Sequence, residues 1–315
     1  MDCSSDIPVT VSAPAVTELG VLAQRALRQG RYGRIAAVFD RSLYAVFDDD
    51  WICIGSKAIG SGPLNVLCEG IAAGRFSRGQ QIAITDTALL FANVKVTGLD
   101  VAPVWSPAPP PDWTKESLQA GILAVDRVWH VTPTEEGLAA SGCVQFPPAP
   151  SRVLAAAMPG IAALKRLIEA GIGGHEAAPA DGTDTIGLIG LGPGLTPSGD
   201  DLLSGALVAL ASLGFSDACA ALWKVLCGHL DRTNDISAAH LRSAATGYAA
   251  SALHEAIDAI MSGRIGRIAP ALAAVSGIGH SSGRDAFAGA LIVLRVVERC
   301  GNGAVQQAVA AARAA

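Results

Sequence analysis

The spacing of apolar positions along this chain changes character near residue 105. From Ile35 to Thr97 it runs in short blocks rich in β-branched and aromatic side chains: IAAVF, LYAVF and WICIG, then QIAIT, ALLFA and VKVTG. Blocks of that length and composition read as half-buried strands. Asp40 with Arg41, Asp48 to Asp50, and Thr85 to Thr87 fall between them and supply turns. Between the two groups of blocks lies SKAIGSGPLNVLCEG, whose Gly60 and Gly62 either expose backbone amides before a short helix or belong to an ordinary crossover loop. The stretch Pro103 to Pro111, PVWSPAPPP, is stiff and poor in backbone donors, and marks a boundary. Beyond it apolar residues recur at i, i+3 and i+4. They predict helices over Thr114–Val128, Ser151–Ala170, Ser198–Leu213, Ser216–Leu230, Ser237–Ala249, Ala252–Ser262, Ile268–Val275 and Ser282–Cys300, then a final Ala-rich helix. The expected fold is α+β. An antiparallel β-rich N-terminal domain, with a small barrel as one way to close it, covers 1–105, and a mainly α-helical domain covers 113–315.

Two of the predicted helices begin alike. TPSGDDLLSGALVAL from Thr196 aligns without a gap on HSSGRDAFAGALIVL from His280. Alanine and leucine are shared by any pair of buried helices, but the common frame SGxDxxxG is more telling. It pairs Ser198 with Ser282, Gly199 with Gly283, Asp201 with Asp285 and Gly205 with Gly289. Free amides and the positive end of the dipole make a helix start a place for an anion, and glycine lets the anion or another backbone come close. If the two helices are neighbours, both starts converge on one cavity. Gly192, Pro193, Gly194, Thr196, Ser198 and Gly199 then come from one side and Ser281, Ser282 and Gly283 from the other. The blander reading is that the hydroxyls cap their own helices and the aspartates complement the dipoles. Yet the preceding GLGPG is stiffer and barer than a cap requires. It is not a P-loop, because no lysine follows Gly199, nor a dinucleotide fingerprint, because Leu195 stands where the third glycine belongs.

Other groups carry chemistry of their own. His280 is a candidate general acid or base, or an anchoring hydrogen-bonder. Asn234, in the polar loop DRTNDIS, is a candidate substrate contact or a helix cap. Asp200, Asp201 and Asp285 form an alternative carboxylate cluster for Mg²⁺, although Arg284 stands opposite Asp200 in the repeat. The anion reading requires no cofactor. Its candidate catalytic residues are His280, Ser198, Asp201 and Asp285.

Composition narrows the classes. Half of the 315 residues are hydrophobic and 16% are charged, so the chain is expected to fold into a tightly packed protein. A net charge of −5 lacks the basic stripe that nucleic acid requires. No apolar run reaches membrane-spanning length, and the start MDCSSDIPV has no signal-peptide pattern, so a soluble, cytoplasmic protein is expected. The seven cysteines never occur as CxxC and read as reduced, mostly buried hydrophobes.

The segment Gly190 to Leu210, with TNDIS at 233–237 and GIGHSSGRDAFAG at 277–289, resembles the family that includes the AllH-type subunit of oxamate carbamoyltransferase. The resemblance implies phosphorolysis of oxalurate to oxamate and carbamoyl phosphate in allantoin and purine breakdown, with other carbamoyltransferase subunits as partners and a small anion as substrate. A paired helix-start site suits two anionic reactants and charge developing on a carbonyl. Two other readings stand beside it. One is a non-catalytic assembly or regulatory subunit. The other is a Mg²⁺-dependent hydrolase, since GHSSGRDAFAGAL resembles the late aspartate motif of ADP-ribosylglycohydrolases with fewer carboxylates.

Overall fold

The computed structural model describes residues 13–29, 32–131, 136–143, 150–175 and 177–301. The chain divides into two compact units, Met1–Ser106 and Pro107–Ala315. The first is an eight-stranded β-barrel and the second is helical, as the change of period near residue 105 predicts.

Around the barrel run β5 (Asn65–Glu69), β4 (Asp50–Gly55), β3 (Ser42–Phe47), β2 (Tyr32–Val38), β6 (Gln81–Ile84), β7 (Ala88–Leu90), β8 (Lys95–Thr97) and β1 (Ala15–Gly20), and β1 closes on β5. Most neighbours are antiparallel, but β4–β5 and β1–β8 are parallel. A short β9 (Val104–Trp105) extends the sheet alongside β1. Ile35, Leu43, Ile52, Ile54, Val66, Ile82, Leu89 and Val96 are wholly buried at its centre. Helix α1 (Val21–Gln29) adds Ala23, Ala26 and Leu27 to that core.

The crossover SKAIGSGPLNVLCEG differs from the expectation of exposed amides before a helix. Lys57–Ile59 form a single 3-10 turn, and the apolar residues after Gly62 become β5, the strand that closes the barrel. The loop presents carbonyls rather than amides, because Pro63 O accepts the N–H groups of Leu22 and Ala23 at the start of α1. Gly20 is required there, since a Cβ would fall 2.1 Å from Gly62 O.

The helical unit contains α2 (Lys115–Val128), α3 (Arg152–Ile172), α4 (Pro179–Ile186), α5 (Ser198–Ser212), α6 (Ser216–Leu226), α7 (Asp235–Ala245), α8 (Ser251–Met261), α9 (Ile265–Ser276) and α10 (Ser282–Arg299). Helix α4 is too short and polar to show a period, and α6 ends at Leu226, where a 3-10 segment over Cys227–Arg232 takes over. The predicted C-terminal Ala-rich helix lies outside the described residues. Among those residues no helix is long and apolar enough to cross a membrane.

At the centre of this unit α5 lies against α10, and α5 is buried on every side except at Ala211. Their contact is backbone on backbone. A Cβ on Gly205 would fall 1.7 Å from Ala286 O, and one on Gly289 would fall 1.8 Å from Leu202 O. The repeat aligns Leu202 with Ala286 and Gly205 with Gly289, so the crossing is two-fold symmetric. Gly205→Ala or Gly289→Ala must therefore force the helices apart, and each is expected to cost about 3 kcal/mol or more by overpacking. Gly266→Ala in α9, where a Cβ meets nothing within 4 Å, is expected to be neutral or slightly stabilising. Thermal unfolding of the three variants checks the contrast.

Candidate functional site

The close crossing brings the N-terminal ends of α5 and α10 together, and their hydroxyl groups meet. Thr196 Oγ1 and Ser282 Oγ are 2.8 Å apart and share a hydrogen bond. Neither helix is capped by a side chain: the residue before α5 is Pro197, and Ser281 before α10 makes no capping bond. Ser198 and Ser282 therefore reach the aspartate of the opposite helix, while Thr196 and Ser281 also bond the aspartate of their own. Each helix-start serine also sits beneath a glycine with positive φ. A Cβ on Gly192 (φ 114°) would lie 3.2 Å from Ser198 Oγ, and one on Gly279 (φ 59°) would lie 3.1 Å from Ser282 Oγ. The gapless alignment hides this equivalence because the two loops differ in length.

Behind the hydroxyls lie two buried carboxyl groups, wired crosswise. Asp201 of α5 is held well above the usual carboxylate range by burial and then by the charge of Asp285, while the hydroxyls of Ser282 and Thr196 favour its charged form. Asp285 of α10 is also raised, chiefly by burial. The hydroxyls of Ser198 and Ser281 and the amides of Leu138 and Ala139 act in the opposite direction. Among the described residues, Oδ2 of each aspartate is buried without a hydrogen-bond partner. Oδ1 of Asp285 accepts the N–H of Leu138 at 2.6 Å.

That amide belongs to the turn Ala139–Gly142 and its approach, a segment with no sequence signal for the site. Gly137 (φ 96°) is the residue that permits it, since a Cβ there would fall 2.7 Å from Asp285 Oδ1. A glycine in the polar run TPTEEGLAASG, outside any periodic stretch, gives a reader only a turn to suspect.

Asp200 does something different from its neighbour. Its Oδ1 accepts Gly190 N–H at 2.9 Å, and its Oδ2 accepts the hydroxyls of Ser237, at 2.7 Å, and Thr233. With both oxygens engaged, it ties the glycine loop to the start of α7. The Mg²⁺ alternative built on Asp200, Asp201 and Asp285 is thus not the arrangement found, and among the described residues no group of three or more His, Cys, Asp or Glu is disposed to hold a metal ion. Asn234 is a brace as well as a cap: its Nδ2 donates to Leu195 O at 2.7 Å and its Oδ1 accepts Ser237 N–H at 3.0 Å.

Two of the expected anion donors are otherwise employed. Gly199 N–H donates to Leu191 O and Gly283 N–H to Ile278 O, so these amides face their own loops. The two glycines serve close packing instead, with Cβ positions 1.9 Å from Leu188 O and 2.0 Å from Val275 O. Pro193 and Gly194 form the exposed tip of one loop, and His280 is exposed on the other. Arg284, opposite Asp200 in the repeat, lies 4.5 Å over the Trp129 ring and donates to His130 O.

The raised Asp201 has a consequence for stability. Below the ordinary value of 3.8 both folded and unfolded chains hold its proton. Above that value the unfolded chain loses the proton first, so this group's contribution to stability falls as pH rises through the folded value. Asp201→Asn removes the penalty. Its melting temperature relative to wild type is expected to be higher at about pH 8 than at about pH 5, and thermal unfolding at the two pH values checks this.

Residues 188–294 match the family model described as Oxamate carbamoyltransferase subunit AllH. No solved structure matches the chain. The matched segment begins just before the glycine loop and ends within α10, taking in Thr196, Asp200, Asp201, Asn234, Ser282 and Asp285. The part of this chain that builds both helix starts is thus similar in sequence to the AllH family of oxamate carbamoyltransferase subunits.

Proposed function

We propose that this chain is the AllH-type subunit of an oxamate carbamoyltransferase-like complex, and that the joined helix starts of its helical unit, which runs from about residue 113 in this reading, hold the reactants. The observation that carries this reading is the Thr196–Ser282 hydrogen bond, which lies inside the AllH-like segment and joins two uncapped helix N-termini.

Oxalurate offers a carboxylate and a carbamoyl carbonyl, and phosphate is the second anion. Two helix starts give a region of positive potential at which both can be placed. In this arrangement the Thr196, Ser198, Ser281 and Ser282 hydroxyls are the polar contacts, with the loop tips at Gly192 to Gly194 and at His280 on either side. Asp200 and Asn234 hold the first loop in shape, and Asp201 and Asp285 orient the hydroxyls. Carbamoyl transfer then draws on positioning and on donors aimed at the carbonyl oxygen as it gains charge. Other subunits complete the complex.

The test is phosphorolysis of oxalurate by the complex reconstituted from this chain and its partner subunits. Thr196→Ala combined with Ser282→Ala is expected to lower kcat/KM by about 100-fold or more while the complex still assembles. Turnover that survives both substitutions assigns the helix starts to assembly instead.

A further inference from the structure

We infer that Asp201 and Asp285 hold one proton between them and pass protons to and from the reactants through the hydroxyls that bridge the two helix starts, a role that rests on the carbamoyl-transfer reading above.

Each carboxyl group is buried at the first turn of one helix and lies beside hydroxyls of the other: Asp201 beside Ser282, Asp285 beside Ser198. The repeat pairs these residues, so the two arms are equivalent by symmetry. Each aspartate also keeps one oxygen, Oδ2, buried and without a partner among the described residues. Two buried carboxylates with orphan oxygens are too costly unless a proton or a cation neutralises one of them.

Among the described residues, the charged and titratable groups nearby are turned to other partners, exposed or neutral. Asp200 adds a negative charge and is engaged with Gly190, Thr233 and Ser237. The guanidinium of Arg284 lies over Trp129 and donates to His130 O. His280 is exposed, and His240 on α7 is pushed down to about 4 by burial and is neutral. The turn Ala139–Gly142 carries no titratable side chain. Two helix N-termini also place positive potential here, which disfavours a metal ion more than a shared proton.

One proton on two acids suits this reaction. An oxygen of hydrogenphosphate bonds to the carbamoyl carbon, and the bond from that carbon to the oxamate nitrogen breaks. The electron pair stays on the nitrogen, which takes a proton from the protonated member of the pair by way of its hydroxyl arm. The proton of hydrogenphosphate passes through the other arm to the member that was a carboxylate. Protons and charge balance, and the pair again holds one proton.

Two measurements test this. Infrared spectra of the full chain at neutral pH are expected to show a protonated-carboxyl band that Asp201→Asn or Asp285→Asn removes. In the reconstituted complex, Asp201→Asn is expected to lower kcat by about 100-fold or more with KM changed only a few-fold, to alter the pH profile, and to change the solvent deuterium isotope effect. Asp201→Glu should restore part of kcat. Absence of the band in wild type, or an unchanged kcat and pH profile in Asp201→Asn, overturns the inference. Thermal stabilisation by K⁺ or Mg²⁺ that Asp285→Asn abolishes also overturns it, because a cation then neutralises the pair. A wild-type complex inactive on oxalurate and phosphate sinks the functional reading, and the infrared band still decides the shared proton.

Discussion

The approach of α5 to α10 through Gly205 and Gly289 governs the rest of the helical unit. Side chains normally keep helix axes about 8–10 Å apart. Here a glycine on each helix lets the other's backbone carbonyl occupy the space of a Cβ. Only at such a distance can Thr196 of one helix start reach Ser282 of the other. The site is therefore a product of packing first and of polar chemistry second.

Bringing two helix starts together concentrates positive potential, and the chain meets it with carboxyl groups of its own. Burial then works against their ionisation, and the charge of Asp285 raises the cost of charging Asp201. The hydroxyls and the Leu138 and Ala139 amides favour charge, while desolvation opposes it at both aspartates and the charge of Asp285 opposes it further at Asp201, and for both opposition prevails. Asp201 feels it more strongly. The partner hydroxyls are thus coupled to two carboxyl groups that hold their protons more tightly than an ordinary surface aspartate does.

Much of this was legible in the sequence because it depends on side-chain identity at fixed spacing. The shared SGxDxxxG frame gives both helix starts and both glycines of the crossing, and the β-branched blocks give most of the barrel. The short β5 was not legible, since five residues beside a Gly-Pro turn show no decisive period. Neither was the role of Gly137 to Ala139, because a backbone amide donates whatever its side chain is. Asp200 and Asp201 read alike as neighbours in sequence. Successive residues on a helix point about 100° apart, however, so one faces α7 and the other α10. Gly199 and Gly283 were legible as special, but whether a glycine admits an anion or a carbonyl depends on what packs against it.

The two halves of the repeat also differ in a way that bears on what they can hold. Ser198, Asp201 and Gly205 have counterparts in Ser282, Asp285 and Gly289, so the Asp201–Ser282 and Asp285–Ser198 contacts repeat, although Asp285 also takes the Leu138 and Ala139 amides. The position between serine and aspartate is not: Asp200 locks the first loop to α7, and Arg284 fastens the second helix start to Trp129 and His130. The loops differ as well, one stiffened by Pro193 and braced at Leu195, the other carrying the exposed His280. In the proposed carbamoyl transfer, two like carboxyl–hydroxyl arms beneath two unlike rims suit two unlike anions, since proton donor and proton acceptor exchange roles while the reactants remain distinct.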